Sequence, residues 1–285
     1  MSKTQRSQPQ TTQVGPVRRP SKFYLVAIDK MRVPPALVTQ REFRKAHGDR
    51  IAAELDLDKL GHPILNHRDG IFWILDGQHR IYAMKQNGFD KYDLMCEVYD
   101  ALTDSEMADI FLGRDARRAI SPFDKFHIAC TAGYPRETAI RRAVETQGAK
   151  ISREKKEDCI TAVAAVGKVF DQAGGGHIGE VVLGQVVRTI RTGLVGDLNA
   201  FDGRIVEGLG MIFNRYNGKT NEKHLSAALS ASLHGAGGIL RRAKSQQERT
   251  GNQLSHCVAA AVVDLYNKQA NRNSKLPSWW KEAEE

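Results

Sequence analysis

The chain has 285 residues, 41% of them hydrophobic and 26% charged, with 42 Lys and Arg against 33 Asp and Glu for a formal net charge of +9. That balance suits a folded protein of about two domains at ~150 residues each and excludes a disordered or collagen-like polymer. No apolar run approaches the roughly 20 residues that span a bilayer, and the basic N-terminus lacks the apolar core of a signal peptide, so a cytoplasmic protein without a membrane partner is expected.

The first 22 residues carry Lys3, Arg6, Arg18, Arg19 and Lys22 and no acid, amid Gln, Thr, Ser and Pro. They read as a disordered basic arm, either a DNA contact or a soluble tail. Val26 to Arg32 reads as a strand running into a loop, and Arg44 to Leu55 as a helix with Ala46, Ile51 and Leu55 on its apolar face. Asp69-Gly70 predicts a hairpin turn into a short apolar strand, Ile71 to Leu75, which is too short for a helix and rich in Ile, Phe and Trp. Leu94 to Tyr99 is a further strand and Asp104 to Leu112 a helix.

From Pro122 onward strand signals fade. Apolar residues recur at three and four over Phe123 to Ala132, Arg136 to Gln147, Lys155 to Ala173, Val181 to Arg191, Phe201 to Tyr216, Asn221 to Ala243 and Gln253 to Ala270. Gly148, Gly174 to Gly176, Gly193 and Asn217-Gly218 punctuate them. The expectation is an α+β chain: a mixed-sheet domain over 23–120, an all-helical domain over 121–275 and a tail over 276–285. Arg204, Gly208 and Tyr216, in an otherwise apolar helix, read as packing residues, as do Gly235, Gly237 and Gly238, since no strand precedes those glycines to make a phosphate loop. Trp279-Trp280 suits a core edge or a partner contact. Basic residues gather at Arg136, Arg141, Arg142, Lys150, Arg153, Lys155 and Lys156, and again at Arg241, Arg242, Lys244 and Arg249, with acids interspersed. Cys96, Cys130, Cys159 and Cys257 are scattered without a CxxC, which favours buried free thiols over structural zinc.

The segment Ile71 to Gly88, IFWILDGQHRIYAMKQNG, carries the chemistry. It passes from the apolar strand through Asp76-Gly77 into a short helix that Asn87-Gly88 ends. Asp76 is expected to cap the helix, and Gly77 lets backbone approach a ligand. The first amides of a helix lack internal partners and lie at the positive end of its dipole, where an anion fits. His79 and Arg80 add donors, and Asp76 lies four residues before Arg80, placed to hold its guanidinium or a metal. The same pattern also describes an ordinary structural corner whose Asp76–Arg80 pair is a surface ion pair of about 0.5 kcal/mol.

DGQHRIYA resembles the phosphate-binding motif of the ParB and sulfiredoxin superfamily, written GERRWRA in partition proteins. Gly77, Arg80 and Ala83 match its Gly, second Arg and final Ala, while Gln78 and His79 fill the variable middle. The DGQHR string also resembles that of a DNA-modification regulator family. The likeness continues through Gln40-Arg41-Glu42-Phe43, Leu60-Gly61-His62-Pro63-Ile64 and the Ile120-Ser121-Pro122-Phe123-Asp124 junction, and so covers about residues 24 to 128. It implies a ParB/sulfiredoxin-like domain that holds a nucleoside triphosphate (CTP or ATP), with Mg2+ at Asp76, in the manner of phage, plasmid and actinobacterial relatives. Gly77, Gln78, His79 and Arg80 would bind the phosphates. Gly113 and Arg114 stand where CTP-hydrolysing partition proteins carry Glu-Asn, and Arg117 stands at their Arg; loss of that Glu puts metal-assisted hydrolysis in doubt. Arg114, Arg117 and Arg118 form a basic run suited to solvent or to phosphates. Gln78 occupies the place of the sulfiredoxin's reactive cysteine, so that activity is rejected. Partition proteins carry a helix-turn-helix where Thr138 to Val163 lies here, yet the charged Lys155 to Asp158 follows its turn and no recognition helix is identified.

Three classes remain open at this level. One is a nucleotide-responsive DNA-binding protein, in which the helical domain contacts DNA or forms a homodimer. Another is an ATPase, phosphotransferase or metal-dependent nuclease in which Asp76 or His79 moves a proton. The last is a non-catalytic interaction module.

Overall fold

A computed structural model describes residues 19–35, 38–114, 120–216 and 218–278. The fold is α+β, as the hydrophobic periodicity predicts, and its contacts divide into two compact units. One holds residues up to 34 together with 43–103; the other holds 35–42 and everything from 104 on.

The first unit is built on a five-stranded mixed sheet. Its strands are β1 (Lys22–Ala27), β2 (Met31–Arg32), β3 (Ile64–Arg68), β4 (Ile71–Asp76) and β5 (Asp93–Asp100), in the spatial order β1-β5-β3-β4-β2. The expected arm therefore ends before Lys22, which already pairs with Val98 in β1, and residues 1–18 of it lie outside the described residues. Strands β3 and β4 form the expected hairpin, with positive φ at both Asp69 (55°) and Gly70 (75°), the backbone a two-residue turn requires to match strand twist. Strand β3 pairs parallel with β5, and β2 parallel with β4. Two helices, α1 (Lys45–Ala53) and α2 (Gln78–Gln86), pack on each other. Ile28, Met31, Leu65, Ile74, Ile81, Met84 and Cys96 form this unit's core.

The second unit is mainly helical: α3 (Asp104–Arg114), α4 (Pro122–Thr131), α5 (Pro135–Glu145), α6 (Val163–Gln172), α7 (Gly176–Gly193), α8 (Gly203–Arg215), α9 (Glu222–Ser230), α10 (Gly235–Thr250) and α11 (Leu254–Gln269). Helix α3 belongs here, since Ala108 and Phe111 pack on Ile128 of α4, so the contact boundary falls at 103/104, upstream of 120. Ser121 caps α4 by accepting the Asp124 N–H at 3.1 Å, with Pro122 at the first helical position. Helices α7, α8 and α11 supply much of the core, and α11 buries Val258, Val262, Val263 and Tyr266. Gly208 permits the approach of α8 to α11: a Cβ there would stand 2.7 Å from a Val258 methyl and 2.9 Å from the Ser255 carbonyl.

Two expected helices are corrected. The unit is not all-helical, because β6 (Lys150–Ile151) and β7 (Cys159–Ile160) form a short parallel ladder, and the helix expected from Lys155 begins only at Val163. Ile151 and Ile160 are β-branched and buried, and pairing them satisfies backbone groups through Lys150 N–H to Asp158 O at 2.9 Å and Ser152 N–H to Ile160 O at 3.0 Å. No second helix therefore follows the Gly148 turn where a helix-turn-helix would place one. The expected Asn221 to Ala243 helix is broken into α9 and α10. His234 sits at φ 67°, and the Asp197 carboxylate accepts the Ala236 N–H at 2.8 Å, a capping contact from a distant loop. Gly238 faces this turn, where a Cβ would overlap the Leu233 carbonyl, so its small size serves the bend between α9 and α10.

Candidate functional site

The corner between β4 and α2 departs from an ordinary capped helix start. Gly77, and not Asp76, is the residue that precedes α2; its φ of 104° turns the chain sharply, and no side chain caps the helix. A Cβ at Gly77 would lie 3.2 Å from both Arg80 Nη2 and Pro63 Cβ, so the position is reserved for glycine by backbone and by space together. The Ile81 N–H donates to the Gly77 carbonyl at 2.9 Å and closes the first turn.

The expected cap at Asp76 is corrected by this geometry. Asp76 remains the last residue of β4, and its carboxylate accepts from Arg80 Nη2 at 2.9 Å. The second Arg80 nitrogen, Nη1, donates to the Leu60 carbonyl, while Gly61 and Gly77 leave room for the guanidinium. Arg80 is thus fixed between the 57–63 loop and the start of α2 with its side chain 25% exposed, and Asp76 beside it is 51% exposed. A guanidinium held on one edge by a carbonyl and a carboxylate, yet still reaching solvent, keeps donors in its fixed fork for an anion.

His79 occupies a different environment. Its ring is buried and stacks on Phe43 at 4.8 Å, and Nε2 accepts the Arg44 backbone N–H at 3.1 Å. An accepting Nε2 carries no proton, so His79 joins the start of α1 to α2 through that atom. Gln78 is likewise buried. Phe43 also contacts Tyr82 at 4.9 Å, His47 lies 4.9 Å from His79, and Gly48 lies directly against the Tyr82 ring. Phe43 and Tyr82 fall within the segments quoted for the resemblance without a role of their own, and His47 and Gly48 were not singled out from the sequence. The spacing of Phe43 and His47, four residues apart on the edge of a predicted helix, is the signal that could have found them.

Asp76, Gly77, Gln78 and Arg80 are therefore together at one corner, with His79 turned into the packing beneath it. Arg114 ends α3 in the helical unit, and Arg117 and Arg118 lie outside the described residues. Among the described residues no group of three or more His, Cys, Asp or Glu side chains is placed to hold a metal ion. Asp76 is thus not part of a ready-made metal cage, and a magnesium ion there would need phosphate oxygens to complete its shell. All four cysteines are free and buried, and burial pushes the Cys96 thiol up to about 12 and the Cys130 thiol up to about 11, so neither presents a thiolate near neutral pH. No helix among the described residues is long and apolar enough to cross a membrane.

Residues 34–279 match the family described as "Family of unknown function (DUF6551)", and the chain belongs to that family. No curated protein matches it.

Proposed function

We propose that this chain is a ParB-like, cytoplasmic nucleotide-binding protein that binds DNA, with the Asp76 to Arg80 loop holding a nucleoside triphosphate, CTP or ATP. The observation that carries the reading is the pairing of an uncapped helix start at left-handed Gly77 with a guanidinium already oriented beside it. Helix amides and an immobilised Arg are the two elements that phosphate recognition needs, and preorganisation lowers the entropy lost on binding. Asp76 has the role of positioning Arg80, and any magnesium arrives with the phosphates. The formal charge of +9 supports a polyanionic partner.

The catalytic alternative draws less support from these positions. Proton transfer at His79 Nε2 would have to displace the Arg44 N–H, and Asp76 is already engaged by Arg80.

Calorimetric titration with CTP, ATP and GTP, each with and without magnesium, tests the reading. Wild type is expected to bind at least one triphosphate. Arg80→Ala should abolish that binding and Arg80→Lys should weaken it, because an ammonium keeps the charge but loses the fork. Arg80 also ties the 57–63 loop in place, so melting curves accompany each variant. Failure of wild type to bind any triphosphate, or equal binding by a folded Arg80→Ala, overturns the proposal.

A further inference from the structure

The two basic groups noted in the sequence are ion-paired to different extents in the fold. In the first, Arg136, Arg142, Arg153 and Lys156 each meet a carboxylate, and Lys155 donates to Asn199 Oδ1 at 2.6 Å. In the second, Arg241, Arg242, Lys244 and Arg249 of α10 are exposed and form no ion pair among the described residues. Residues 235–278, which hold α10, α11 and the segment after them, contain seven basic residues and two acidic ones, a surplus of five in a chain whose whole surplus is nine.

That surplus lines a hollow. A cavity of about 720 Å³ lies along α10 and α11, and Arg242, Arg249, Lys268 and Lys275 surround it with Asp264 as the lone carboxylate. Its far wall is held in place: Asn267 of α11 donates to the Leu276 carbonyl at 2.9 Å and accepts the Leu276 N–H at 2.8 Å, which pins Lys275 on the rim. A second hollow of about 540 Å³ begins at the same Lys275 and adds Lys219 and His224. Four cations around a single carboxylate repel one another, and none of the four is ion-paired among the described residues.

We infer that the α10–α11 groove, defined by Arg242, Arg249, Lys268 and Lys275, is a binding site for the sugar-phosphate backbone of a nucleic acid. The inference rests on the DNA half of the proposed function and is independent of the triphosphate corner. Size favours an extended polyanion: Arg242 and Arg249 stand two helical turns apart, about 10 Å along α10. That distance matches about three nucleotide steps at ~3.4 Å each. A lone phosphate would reach one end of it. Polarity argues against a lipid surface, since none of the exposed large apolar side chains among the described residues lies in 235–278. The lining holds Arg and Lys with amide and hydroxyl groups, the set that contacts phosphate and sugar without reading bases.

Fluorescence anisotropy of the full chain, without nucleotide, tests this with a short labelled duplex, a single-stranded RNA and phosphatidylserine vesicles across a salt series. Leaving nucleotide out keeps a failure of the triphosphate reading separate from a failure here. Arg242→Gln/Arg249→Gln/Lys268→Gln is expected to weaken duplex or RNA binding at least about tenfold and to lower the salt slope by roughly two to three, about 0.9 per lost phosphate contact. Arg142→Gln, which removes a paired cation outside the groove, should bind within about twofold of wild type. Should the triple variant fold poorly, Lys268→Gln/Lys275→Gln reads the same slope with two charges removed. Undiminished binding by a folded groove variant, no nucleic-acid binding by wild type, or binding of vesicles alone overturns the inference.

Discussion

The helical unit contains two populations of cations, and their contrast shows why a charge count says little about a surface. Between α5 and α7, several arginines are held by distant carboxylates: Arg136 meets Asp171 at 2.8 and 2.7 Å, and Arg191 meets Asp158 at 2.7 Å through Nε and Nη2. Pairing holds the Arg136 guanidinium above its ordinary value and the Asp171 carboxyl below its own, through the hydrogen bond between them. Along α10 and α11 the cations have no such partners among the described residues. The first population is spent on joining helices. The second keeps its charge exposed, and uncompensated surface charge of one sign raises the local potential.

The comparison is broken most forcefully at the buried member of the paired group. Asp124 is 3% exposed and accepts from Arg153, which also reaches Glu42 and lies over the Phe123 ring at 5.0 Å. Breaking a buried pair costs about 3–5 kcal/mol. Because Arg153 keeps Glu42 and some solvent, Asp124→Asn is expected to cost about 2 kcal/mol in urea unfolding. A loss below about 0.5 kcal/mol would show that the pair is ornamental to stability.

Acid should sharpen the contrast. Asp171 and Asp202 are held below the ordinary Asp value of about 3.9, chiefly by hydrogen bonds from Arg136 and Arg204. A carboxyl depressed in the folded state contributes fully above its unfolded value and loses that contribution as pH falls through its folded value. The gap in melting temperature between wild type and Asp171→Asn should therefore close as pH drops below about 4. A gap that persists in acid would mean that packing, and not charge, sets it.

The smallest effect belongs to the unpaired group. Arg242→Ala and Arg249→Ala should each change unfolding free energy by less than about 0.5 kcal/mol, in either direction, since neither side chain has an ion-pair partner among the described residues to lose. A cost near that of Asp124→Asn would assign these arginines to the scaffold and erase the distinction.

Much of the candidate corner was legible in DGQHR because its cause is local. A strand that ends in a glycine and is followed at once by a helix commits the backbone within a few residues, and an Arg four residues after an Asp can reach it. The assignment of the cap was not legible, because Asp76 chooses between an amide and Arg80, and that choice depends on Leu60 and Pro63 arriving from another segment. The inward turn of His79 depends in the same way on Phe43 and Arg44. Helix periodicity placed α4, α5, α8 and α11 to within a few residues, yet it ran through the β6–β7 ladder and the bend between α9 and α10.

By itself the sequence determined the α+β class, the Asp69-Gly70 hairpin, the glycine corner and the succession of helices, since each follows from neighbours along the chain. Tertiary structure decided the long-range neutralisation of Arg136, Arg142 and Arg191. The carboxylates responsible lie 35 residues away for Arg136, 38 for Arg142 and 33 for Arg191, and only packing brings them within reach. Charge is written in the sequence; its compensation requires two distant side chains to meet, and that depends on how the helices pack.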